Sequence, residues 1–162
     1  MKRSFLMVLI IAGLFFQSCT VENIYSVLND RWGLQLPKAV TIIDDATNSD
    51  TYQTSSTKNS DYIFVYQEED SATLDKLTIW NNPTNREINQ LIQLIHPYFF
   101  TDETKPLTPA QRLEQLEEKL GMVIDENLKY YSKRDSQSPT GGRIILLYND
   151  GLSQIHAFHL VE

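Results

Sequence analysis

One cysteine, three histidines, six glycines and six prolines are all that 162 residues supply of the residue types on which many functional sites are built. A lone cysteine cannot close a disulfide within the chain or assemble a thiolate metal site, so packing must provide the stability. Gly-Xaa-Ser-Xaa-Gly, His-Glu-Xaa-Xaa-His and a glycine-rich phosphate loop are all missing. Their absence removes the nucleophile elbow, the helical zinc hydrolase and the P-loop from consideration. Positive charge is scarce too: 14 Lys and Arg stand against 21 Asp and Glu, for a formal net charge of −7. Such a balance argues against nucleic acid as a partner.

What is present begins at the N-terminus. Lys2 and Arg3 give a positive start, Phe5 to Phe16 an apolar run, and Ser18 a small residue directly before Cys19. The run falls short of the roughly 20 residues needed to span a bilayer and reads as an export signal. Ser18-Cys19 in this setting resembles the lipobox of bacterial lipoproteins, in which the cysteine thiol is acylated and becomes the first residue of the mature chain. The resemblance implies a signal peptide over 1–18 and a single domain over 19–162 anchored through Cys19 by palmitate-type chains. That places the domain in the bacterial cell envelope, on the extracytoplasmic side of a membrane. A thiolate is the side-chain nucleophile suited to taking up a lipid. Each buried methylene then contributes about 0.8 kcal/mol, so two or more chains hold the protein stably.

Loss of Lys2 and Arg3 with the signal takes the charge from −7 to −9. The mature length is about one domain's worth, with a single core. Val21, Ile24, Tyr25, Leu28 and Trp32 fall on one helical face, and Gly33 supplies a stop. Ala39 to Ile43 reads as a short strand by its β-branched content. Asp44 to Asp61 is nearly all Ser, Thr, Asn and Asp, a long solvated loop. A calcium loop there fails at Ala46, Ser49 and Ser55, where the motif needs an oxygen ligand, Gly and Glu.

Tyr62 to Gln67 is a strand with Tyr62, Phe64 and Tyr66 on one face. Ser71 to Trp80 reads both as a capped short helix and, over its last four residues, as a strand. Thr84 and Glu87 form a capping box ahead of Ile88, Leu91, Ile92 and Ile95, with Pro97 expected to end that helix after His96. Thr108, Pro109 and Gln111 open the next, and Gly121 closes it. Leu128 to Lys133, Arg143 to Tyr148 and Gln154 to Val161 read as a C-terminal β-meander, with Asn149-Asp150-Gly151 as a tight turn. The fold class is therefore α+β: an antiparallel sheet of about five strands with about three helices on one face.

Catalytic groups are few. His156 and His159, three apart on a strand, point to opposite faces and cannot share a metal or a proton. His96, beside Pro97, reads as a half-exposed histidine capping a helix end. The acidic pairs Asp44-Asp45 and Asp125-Glu126 diverge in an extended chain. No cofactor or metal site is expected, and catalysis would need a hydrolase site dispersed over distant segments. Apolar residues on both sides of several strands point instead to a sheet face left for a partner. The primary expectation is thus an envelope-anchored binding or accessory module, with Tyr62, Phe64 and Tyr66 as binding residues and an envelope protein as partner. An acidic inhibitor or immunity protein, neutralising a basic toxin or muralytic enzyme, is the alternative suggested by the charge. The mature domain also resembles small uncharacterised lipoproteins of low-GC Gram-positive bacteria, through Gly33-Leu34-Gln35-Leu36-Pro37, Lys129-Tyr130-Tyr131 and Leu146-Leu147-Tyr148-Asn149. That resemblance implies no activity.

Overall fold

A computed structural model describes residues 24–44, 60–100, 106–135 and 142–161. The chain divides into two compact units, Met1–Lys38 and Ala39–Glu162. In the first, residues 24–32 form helix α1. Leu28 and Trp32, one turn apart, are buried, while Ser26, Val27, Asn29 and Asp30 are exposed, as the apolar spacing requires. Gly33 ends the helix in the left-handed conformation (φ 69°), a backbone state that glycine adopts without steric cost. Its N–H reaches the Asn29 carbonyl at 2.8 Å, and that of Leu34 reaches the Leu28 carbonyl at 3.1 Å.

The second unit is a five-stranded antiparallel sheet with helices packed on one of its faces. Strands β1 (Thr41–Asp44), β2 (Ser60–Val65), β3 (Lys129–Arg134), β4 (Gly142–Asn149) and β5 (Gln154–Val161) lie in the order β1-β2-β5-β4-β3. Residues directly opposite one another share a face. Asp61, Phe158, Ile145 and Ser132 are aligned on one side; Phe64, Ile155 and Tyr148 on the other.

Helices α3 (Asn85–Phe99) and α4 (Pro109–Leu120) cover the first side. Ile88, Leu91, Ile92 and Ile95 from α3 and Leu116 and Leu120 from α4 form one core with Tyr130, Ile145, Leu147, Phe158 and Leu160 of the sheet. Both helices start as the sequence requires. Thr84 accepts from the Glu87 N–H while Glu87 takes the Thr84 N–H, and Thr108 and Gln111 repeat the arrangement with Pro109 in the first turn. Gly121 closes α4 at φ 62°. The end of α3 differs from expectation: the helix runs through Pro97 to Phe99. Proline costs α3 one internal hydrogen bond. Against that, Phe99 packs edge-on to Phe158 at 5.8 Å and Tyr98 bonds across to the sheet, so tertiary contacts hold the extra turn.

The segment 71–80 also resolves. A 3-10 turn (Glu68–Asp70) leads into the four-residue α2 (Ser71–Leu74), and turns follow with no strand. The Trp80 indole donates to the Leu74 carbonyl at 2.7 Å, satisfying the helix end, and its ring stacks on Tyr148 at 5.7 Å. Between β4 and β5 the chain turns through a 3-10 turn (Asp150–Leu152) and Ser153 at φ 50°. The tight turn expected at 149–151 therefore lies at 150–153, with Asn149 still in β4. Ser153 is held in that conformation by Ser71 Oγ at 2.5 Å and by the Tyr66 N–H on its carbonyl at 3.0 Å.

Candidate functional site

Cys19 and most of the polar 44–61 loop lie outside the described residues. The three aromatic candidates lie within them. Tyr62 sits between Asp44 and Ala157 in the sheet and is half-buried. Phe64, flanked by Ile42 and Ile155, is 0 % exposed, and Tyr66 is 5 % exposed beyond the end of β2. The alternation that places Tyr62 and Phe64 on one face holds. Burial, however, assigns Phe64 and Tyr66 to packing and leaves Tyr62 as the member of the trio with surface to offer.

The histidines are spread through the fold. His156 lies opposite Ile63 and Leu147, and His159 opposite Ser60 and Ile144, on the two faces of β5 that the odd spacing dictates. His96 is 1 % exposed and not a half-exposed cap. Its Nε2 meets Gln115 Oε1 of α4 at 2.8 Å, and its ring stacks on Phe100 at 4.6 Å. A buried imidazole needs a polar partner, and the helix next door supplies it.

Two polar pairs escape a reading of the sequence because each joins distant segments. Asp61, 3 % exposed, accepts a hydrogen bond from the Tyr98 hydroxyl. Glu87 accepts from the Tyr130 hydroxyl at 2.7 Å, linking the first turn of α3 to β3. The Thr84 N–H, the Tyr130 phenol and the Thr84 hydroxyl together hold the Glu87 carboxyl down at about 2. Burial, with the hydrogen bond to Glu87 and its charge, pushes the Tyr130 phenol up to about 12. Glu87 is visible in the sequence only as part of a capping box; nothing local announces Tyr130 as its second partner. Both pairs tie α3 to the sheet, Tyr98 to Asp61 of β2 and Glu87 to Tyr130 of β3.

The edge of β3 is the most informative surface. In antiparallel pairing alternate residues turn their backbone groups outward. Tyr130 is one of them: its N–H and carbonyl bond Asn81 at 3.0 and 2.9 Å, an isolated bridge that caps the strand's first half. Ser132 and Arg134 have the same parity, but the chain before Asn81 folds into the turns of 75–80 and does not accompany them. Cations surround this stretch. Arg134 and Arg143 are directly opposed, Arg143 donates to Ser132 Oγ at 3.2 Å, and Lys133 is exposed on the other side. Lys129 is engaged by the Asp75 carboxylate.

A shallow groove between α3 and α4 is lined by Asn89, Ile92, Gln93, Leu107, Pro109 and Arg112. Among the described residues no group of three or more His, Cys, Asp or Glu is arranged to hold a metal ion, and no helix is long and apolar enough to cross a membrane. No family model, curated protein or solved structure matches this chain.

Proposed function

We propose that this chain is a lipoprotein, acylated at Cys19 and held on the extracytoplasmic side of a bacterial membrane, where its α+β domain serves as a non-catalytic binding module. The observation that carries the anchor is the N-terminal pattern: Lys2 and Arg3, the apolar run to Phe16, and Ser18 before the lone Cys19. The framework in this proposal is a C-terminal β-meander backed by about three helices. The binding role is supported by how the described polar groups are used. Asp61, His96 and Glu87, the best-placed candidates for acid–base work, are committed to Tyr98, Gln115 and Tyr130.

Mass measurement of the mature protein tests the anchor. Wild-type protein should carry diacylglyceryl and acyl mass on Cys19, and Cys19→Ala should remain an unprocessed precursor. Masses for the two that differ only by the sulfur lost in the substitution would refute acylation. Capture of an envelope protein by the immobilised chain tests the binding role. Retention that collapses between low and moderate salt favours the acidic inhibitor of a basic protein, since exposed charges are screened over about 10 Å at 0.1 M. Retention that persists favours a partner held by apolar contact beside Tyr62.

A further inference from the structure

We propose that the outer face of the Trp80 ring is a stacking platform for a neutral sugar chain of β-gluco configuration. The inference rests on reading the domain as a binding module and is independent of the lipid anchor. Two contacts fix the ring. Tyr148, 4 % exposed, lies nearly parallel beneath it at 5.7 Å, and the Leu74 carbonyl holds the indole N–H at 2.7 Å. Tyr148 is itself pinned, its hydroxyl donating to the Ser71 carbonyl at 3.3 Å. One face of the indole and its nitrogen edge are thus taken. The surface that half-buried Trp80 still exposes belongs to its second face and far rim. A ring so held has little rotamer freedom left to lose when a ligand settles on it.

The groups around the ring select the ligand. Lys129 is directly opposite Tyr148 in the sheet and shares its face, and it pairs with the carboxylate of Asp75, the residue after Leu74. Covering Tyr148 asks only for apolar area and not for this polar border. One ammonium and one carboxylate beside an aromatic ring offer donors and acceptors with no net charge. A pyranose whose hydroxyls are all equatorial matches them: its axial C–H bonds make a flat apolar face, and its hydroxyls donate to Asp75 and accept from Lys129. A lipid chain would strip water from the ion pair and return no hydrogen bond. A nucleobase also stacks, but its phosphates meet a protein of net charge −7. Tyr131, half-buried, continues the same face two residues beyond Lys129, roughly 7 Å along the strand. A second ring at that spacing suits a chain of sugars over a single one.

The test is NMR of the full nitrogen-labelled chain in a detergent without a sugar head group, titrated with cellotetraose, chitotetraose and mannotetraose. Trp80 and Trp32 are the only tryptophans and each gives one indole N–H signal. Cellotetraose or chitotetraose should move the Trp80 signal saturably and leave that of Trp32, which is buried in the other unit, in place. The tighter of the two tells a plain glucan from an N-acetylated one. Mannotetraose, whose axial hydroxyl interrupts the apolar face, should bind about tenfold more weakly. Added salt should leave the affinity unchanged, because the ligand carries no charge. Trp80→Ala, followed through the Lys129 amide, should cost about tenfold or more. Asp75→Ala, at an exposed position, should weaken binding severalfold with little change in melting temperature. No saturable shift from either β-gluco chain, or full affinity in both variants, would overturn the platform. Full affinity for mannotetraose, or binding lost on adding salt, would overturn the choice of ligand. Because Cys19→Ala protein should bind the sugar as wild type does, a failed anchor and a failed platform are read separately. Successful envelope capture alongside a negative sugar titration would leave the binding role standing and remove only this site.

Discussion

Tyr98 donates its phenolic hydrogen to the carboxylate of Asp61 across 37 residues of sequence, tying the last turn of α3 to β2. Both groups belong to the side of the sheet that carries the helices, and Asp61 is buried there. Removing the phenol oxygen takes a donor from a carboxylate that water reaches poorly. Tyr98→Phe is therefore expected to lower stability by about 1–3 kcal/mol. Urea unfolding monitored by tryptophan fluorescence measures it, and an unchanged midpoint would show that the pair is ornamental to folding.

Pro97 supplies a second prediction. It leaves the Gln93 carbonyl without the amide that a helix would provide. Pro97→Ala restores the donor, worth up to about 3 kcal/mol, and gives back about 0.4–1 kcal/mol through a freer unfolded chain. A net gain of about 1–2 kcal/mol should appear in thermal or urea denaturation. A loss would mean that α3 depends on the proline's shape at this point.

The Glu87–Tyr130 pair predicts behaviour at both ends of the pH scale. Glu87 titrates below its ordinary range in the folded protein, at about 2. Its contribution is thus present above the usual carboxylate range and is lost as pH falls toward 2. Tyr130 titrates above its ordinary range, at about 12. Its contribution is complete below pH 10 and is lost as pH rises through 12. In Tyr130→Phe the Glu87 titration, followed by carboxyl-resolved NMR, should move up yet stay below its ordinary value, because the Thr84 N–H is the larger cause. No movement would place the phenol outside the pair's electrostatics.

Tyr62 and Phe64 should separate function from folding. Phe64→Ala empties a fully buried site and should cost about 3–5 kcal/mol. Tyr62→Ala, at a half-buried position, should cost less stability. If Tyr62 contributes to a contact surface, the substitution should reduce envelope-partner capture under conditions where unfolding experiments find the domain intact. Capture unaffected by Tyr62→Ala would remove this residue from the binding surface.

Features made of neighbours in sequence were legible. The boxes Thr84 to Glu87 and Thr108 to Gln111, the stop at Gly121 and the alternating strands each rest on groups within one turn or one pleat. What stayed hidden depends on which segments meet. Pro97 reads as a helix end because the contacts that carry α3 onward, a hydrogen bond to Asp61 and ring packing on Phe158, come from distant strands. His96 reads as a half-exposed cap because Gln115 sits on another helix. The 71–80 segment is undecided until Trp80 finds the Leu74 carbonyl and the Tyr148 ring. Apolar residues on both faces of β4 suggest the central strand, yet β5 holds the centre and β4 lies beside the edge strand β3, because alternation reports burial and not pairing order.

The order β1-β2-β5-β4-β3 has a consequence for how the molecule is made. β5, the last strand in sequence, is the hinge-pin of the sheet: β2 has no partner on that side, and β4 only one, until β5 arrives. During synthesis the N-terminal strands must wait through both long helices and two further strands before the ladder can close. Contacts so distant along the chain slow the final assembly. A nascent chain therefore keeps β2 and β4 each one partner short until β5 has been made.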